Sequence, residues 1–156
     1  CDDTAGLPLD SAPAMAGAAP GPWPNLSLPF IGSFSLVDEG ETLFAFAPVG
    51  LEREAADADT SGMQLAWFNV NTLMGGFVPM GTMNQAIDAA YPPDGSLADR
   101  GKNAALKAAF SAIPGGGVRA VPIETDNGTV LSAVFGTIQN GERTCFFLPT
   151  VGITEV

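Results

Sequence analysis

Three runs near the C-terminus, Val118–Thr125, Thr129–Ile138 and Arg143–Leu148, are rich in β-branched and aromatic residues and are separated by Asp126-Asn127-Gly128 and Asn140-Gly141. Tight hairpin turns need positive φ, which glycine adopts freely and asparagine tolerates, so this pattern predicts three strands joined as an antiparallel meander. Upstream, Leu28–Val37 and Thr42–Val49 read as two strands joined by Asp38-Glu39-Gly40-Glu41, and Met63–Val70 as a third. Alternation in Thr42–Val49 places Thr42, Phe44 and Phe46 on one face and Leu43, Ala45, Ala47 and Val49 on the other. Both faces are largely apolar, as expected of a central strand covered on each side. Trp67 and Phe68 send one large ring to each face of their strand. One ring belongs to the core, and the other requires a partner.

Between these groups the hydrophobic period changes from two to 3.6. Thr82-Met83-Asn84-Gln85 has the form of a capping box, with Met83, Ala86, Ile87, Ala90 and Tyr91 on the inward face and Pro92-Pro93 as the stop. Ser96-Leu97-Ala98-Asp99 opens a second helix to about Ile113, with Leu106, Ala109, Phe110 and Ile113 inward and Gly115-Gly116-Gly117 ending it. The apolar run Leu73–Met83 lacks a period and reads as a loop over the core; its Met74, Phe77 and Met80, together with Trp23, are candidate contacts for a partner or an apolar ligand. Residues 1–24 hold five prolines and no alternation, which predicts an extended arm anchored by Leu7, Leu9, Met15 and above all Trp23. The expected fold is therefore α+β. A largely antiparallel sheet of about six strands carries two helices on one face over residues 25–156, after a Pro/Ala/Gly-rich arm at 1–24.

Composition narrows the function classes. The 156 residues are 46% apolar and 15% charged, so a packed core is affordable without metal or staples. Residues 1–59 carry ten acids and one base, the rest seven acids and five bases, and the net charge is −11. Phosphate recognition needs clustered Lys and Arg, which makes nucleic acid a poor partner; anionic membrane surfaces are disfavoured for the same reason. No apolar run approaches the roughly 18–20 residues that span a bilayer. A chain opening on Cys-Asp-Asp and a low-complexity leader reads as an exported protein after signal removal, located outside the cell or in the envelope. Its two cysteines, Cys1 and Cys145, permit one disulfide; the alternative is a lipid-modified Cys1, the only route to membrane association here.

Recognisable chemistry is sparse. With no histidine in the chain, Ser-His-Asp and Cys-His catalysis and His-containing metal sites are excluded. Gly115-Gly116-Gly117-Val118-Arg119-Ala120 has the spacing of a dinucleotide loop, but it follows a helix and opens a strand, the reverse of what pyrophosphate binding at a helix N-terminus requires. Asp57-Ala58-Asp59-Thr60-Ser61-Gly62 matches the first half of a calcium loop, with Asp57, Asp59 and Ser61 as candidate ligands, while Phe68 stands where the closing bidentate acid belongs. A solvated acidic loop is the simpler reading, and no other cofactor is indicated. Asn25-Leu26-Ser27 and Asn127-Gly128-Thr129 fit the N-glycosylation pattern without further support. The resulting expectation is an exported, non-enzymatic surface or envelope protein that acts through protein association or self-association. A carrier of an apolar, lipid-like ligand is the alternative, and a hydrolase using carboxylates such as Glu52, Glu54, Asp57 or Asp59 is third.

Overall fold

The structure, a computed structural model, describes residues 14–48, 62–111, 118–140 and 143–156. Among these, ten strands form three antiparallel sheets accompanied by two helices. The architecture is α+β, but the expected single sheet of about six strands is replaced by a sandwich. β1 (Ala14–Pro20), β4 (Glu41–Pro48), β8 (Arg119–Glu124) and β7 (Gly81–Thr82) make one sheet, in the order β1-β4-β8-β7. β10 (Arg143–Glu155), β9 (Thr129–Asn140), β5 (Met63–Asn69) and β6 (Met74–Pro79) make the other, in the order β10-β9-β5-β6. β2 (Leu26–Leu28) and β3 (Gly32–Phe34) form a separate hairpin.

Strand β4 behaves as its alternation predicts. Phe44 and Phe46 enter the core between the two sheets, together with Met63, Leu65, Val134, Ile138 and Phe147. Leu43 points the other way, into a second core with Ile87 of α1 (Met83–Ala90) and Leu106 of α2 (Leu97–Phe110). The order of layers is thus β10-β9-β5-β6 sheet, β1-β4-β8-β7 sheet, helices. Thr82 caps α1 through the reciprocal box, its Oγ1 accepting from the Gln85 N–H at 3.2 Å while Gln85 Oε1 accepts from the Thr82 N–H at 2.9 Å. Ser96 caps α2 by accepting from the Asp99 N–H. Leu106 is buried as expected, but Ala109 and Ala90 are exposed. The buried Asn103 instead fastens α2, donating to Asp88 Oδ1 at 2.8 Å and to the Tyr91 carbonyl at 2.7 Å.

Four local readings are corrected. The segment Leu28–Val37 is not one strand: Pro29 cannot donate to a ladder, Phe30 turns at φ 67°, and the chain reverses into the β2–β3 hairpin. Leu73–Met83 is not a loop, because Leu73 at φ 60° closes a tight turn that returns β6 along β5 in full register. The strand expected to end at Leu148 continues to Glu155 across a register shift between Phe147 and Thr150, where Pro149 interrupts the ladder. Most consequential, β8 and β9 do not pair. Asp126-Asn127-Gly128 carries the chain from one sheet to the other, its Asp126 at φ 57° and Gly128 at φ 135° serving a crossover as well as they would serve a hairpin.

Asn69, fully buried in β5, holds that crossover in place. Its Nδ2 donates to the Thr125 carbonyl at 2.7 Å and to the Asn127 carbonyl at 3.2 Å, while Oδ1 accepts from the Asn71 and Thr72 N–H groups at 2.9 and 3.2 Å. The Thr125 hydroxyl, just past β8, meets that of Thr42 in the neighbouring strand β4 of the same sheet at 2.8 Å. Asn69→Ala is expected to destabilise the protein by about 2–3 kcal/mol, since it strands both a buried carbonyl and the turn N–H groups. Urea unfolding checks it; a loss below about 0.5 kcal/mol would mean that water replaces the amide freely.

Candidate apolar association face

The site candidates proposed from sequence scatter across the fold. Trp23 sits on the helix side, its ring 5.7 Å from that of Phe110 and its backbone bonded to Leu36 and Val37. Met80 is fully buried in the inter-sheet core and meets no solvent. Met74 and Phe77 lie exposed on the edge strand β6. Cys145 is fully buried in β10 and is not a free thiol, while Cys1 lies outside the described residues. So do Asp57, Asp59 and Ser61, and with them Glu52 and Glu54. Among the described residues, no group of three or more His, Cys, Asp or Glu side chains could hold a metal ion, and no helix is long and apolar enough to cross a membrane.

Among the described residues, two titrating side chains are displaced from their ordinary values, and both belong to helix docking. The Lys107 hydrogen bond, assisted by Asn103, holds the Asp88 carboxyl below the usual carboxylate range. Such a group stabilises the fold above the unfolded carboxylate range, and this contribution is lost as pH falls through the lowered value. The pair is largely solvated, so its weight is small. Burial, followed by the nearby Asp38 charge, pushes the Tyr91 hydroxyl up, and that hydroxyl donates to the Ser35 carbonyl at 2.6 Å.

What the fold does assemble is an apolar face. The side chains of β5 alternate, Met63 and Leu65 into the core and Ala66 and Phe68 away from it. Pairing then aligns one rung of Gly75, Phe68, Leu131 and Ile153 across all four strands, and the next rung of Phe77, Ala66, Ala133 and Val151. Neither rung contains a charge. Phe77, Val151 and Ile153 are 77%, 78% and 72% exposed, and Phe68 and Leu131 about half as much. Leu73, at the β5–β6 turn, adds a further exposed side chain. Ala66 and Ala133 form the floor of an open hollow of about 1280 Å³ between these larger side chains. Past the rungs, Glu155 accepts from the Thr129 hydroxyl.

Sequence reasoning found Phe77 and Met74 but missed Leu131, Val151 and Ile153. The signal was available in β9, where Leu131, Ala133 and Phe135 alternate with Val130, Val134 and Ile138, leaving both faces apolar. It also foresaw that one of Trp67 and Phe68 lacks a partner: Trp67 packs against the core and Phe68 faces outward. Comparison with known protein families, with curated proteins and with solved structures finds no match for this chain.

Proposed function

We propose that this chain is an exported, non-enzymatic protein of the cell surface or envelope that works by protein association, as an assembly or accessory subunit. The observation that carries the reading is the outer face of the β10-β9-β5-β6 sheet, two registered uncharged rungs that no described element covers. Apolar surface gains about 25 cal/mol per Å² when removed from water, and a contiguous patch of this kind marks a contact site. Nucleic acid has no place in this reading, and a membrane enters only through a lipidated Cys1. Light scattering of the native protein, with affinity capture from its own envelope fraction, tests the proposal. Association that Phe77→Asp abolishes supports it; a clean monomer at high concentration that captures no protein overturns it.

A carrier of a lipid-like ligand is the second reading, favoured by the hollow above Ala66 and Ala133. Native mass spectrometry after mild extraction separates the two, because a carrier retains a lipid-sized mass. Independently of either reading, a Cys1–Cys145 disulfide would make the N-terminal arm a strap over its own subunit or a neighbour's and, in the chain-entropy view, stabilise the fold by roughly 4–5 kcal/mol. Intact mass with and without reductant decides this. A gain of two hydrogens on reduction supports the strap, a diacylglycerol-sized excess on Cys1 replaces it with a membrane anchor, and unmodified free thiols exclude both. Calcium at Asp57, Asp59 and Ser61 is a separate proposal, and a melting temperature unmoved by millimolar calcium ends it.

A further inference from the structure

We infer that the occupant of the apolar face is a second copy of this chain, so that two β10-β9-β5-β6 sheets pack face to face; this rests on the association reading and names its partner. Taking roughly 150–200 Å² for a fully exposed apolar residue of this size, Phe77, Val151, Ile153, Leu73, Phe68 and Leu131 expose on the order of 700 Å². That approaches the ~800 Å² each partner contributes to a standard interface and exceeds the roughly 300–600 Å² of the largest patch on a typical monomer.

Each copy carries a net charge of −11, so two copies repel wherever acidic surfaces meet. The two rungs are the part of the surface where this objection vanishes, since no carboxylate or ammonium lies within them. In a two-fold dimer the same patch meets itself, and a uniformly apolar patch is complementary to itself where a charged one is not. A partner of opposite charge would instead call for carboxylates inside the contact.

Small-ligand sites enclose most of their ligand, whereas this face is an open sheet surface whose hollow is bounded by Phe77 on one edge strand and Val151 on the other. Sheets packed face to face in sandwiches bury such surfaces, as the opposite face of this same sheet is buried against β4.

Sedimentation equilibrium of the full chain across the micromolar range, at low and high salt, tests the inference. The expected result is a dimer that tightens as salt rises, because salt screens repulsion between acidic copies without weakening an apolar contact. Phe77→Asp and Val151→Asp each weaken it by roughly tenfold or more with circular dichroism unchanged, whereas Asn84→Asp, which adds the same charge on α1, leaves it within about twofold. A dimer insensitive to both face substitutions overturns the inference by placing the interface elsewhere. So does a monomer, and its other properties then name the true occupant. Capture of a different protein that is lost in Phe77→Asp keeps the association reading and sinks only the second copy. A retained lipid-sized mass sinks both. A monomer whose melting temperature falls sharply on Phe77→Asp has the face covered by its own chain.

Discussion

Phe46→Ala should lower the unfolding free energy by about 3–5 kcal/mol, the range for removing a large aromatic from a packed interior. Phe46 is almost completely buried between the two sheets and meets the Phe147 ring edge-on, with centroids 4.9 Å apart and planes at 81°. The substitution removes the transfer energy of the ring, leaves a cavity that flanking strands cannot close, and abolishes the edge-to-face contact. Domains of this size hold only about 5–15 kcal/mol in total, so the variant should melt roughly 10 °C lower. Phe46→Leu should recover most of the loss because it restores most of the volume. Guanidinium unfolding is the measurement, read as a lower midpoint at unchanged slope. A loss under about 1 kcal/mol would show that the sheets do not pack across this ring.

Gly136→Ala is expected to be comparably damaging, at about 3 kcal/mol or more, although it adds a single methyl group. Gly136 has φ 134°, a region that residues with a Cβ rarely enter, and it lies in β9 with β5 on one side and β10 on the other. A Cβ built there would collide with the Gly62 carbonyl oxygen and lie 3.0 Å from the Met63 Cα. Both are backbone atoms, and the same carbonyl accepts from the Thr137 N–H at 3.0 Å. Relief therefore requires β9 and β5 to separate, which disturbs the ladder that aligns the apolar rungs. Gly152→Ala is the matched control. Its Cβ would meet only the Ser132 hydroxyl, at an ordinary 3.4 Å, and stability should change by less than about 1 kcal/mol. Equal effects at the two sites would refute this account of Gly136.

Several features of the fold were readable because short-range physics specifies them. The capping box at Thr82 and Gln85 concerns one turn of backbone, and helix α1 begins where that box puts it. The two apolar faces of Thr42–Val49 reported a strand covered on both sides, and β4 lies between the inter-sheet core and the helices. Other features were legible only in part. Positive-φ residues at Asp126 and Gly128 announce that the chain turns, but a hairpin and a crossover between sheets make the same local demand.

By itself, then, the order of residues determined where the chain turns, where its helices start and which side chains share a face, because each depends on neighbours a few positions apart. Only the tertiary structure decided which strands pair. The choice between β8 and β5 as the partner of β9 rests on Asn69 reaching three carbonyls more than fifty positions away, while Thr42 holds Thr125, just past β8, within its own sheet. The candidate face has the same origin. Phe77, Ala66, Ala133 and Val151 are distant in sequence and become one rung through register alone, since a slip of a single residue in any strand would turn its side chains to the opposite side.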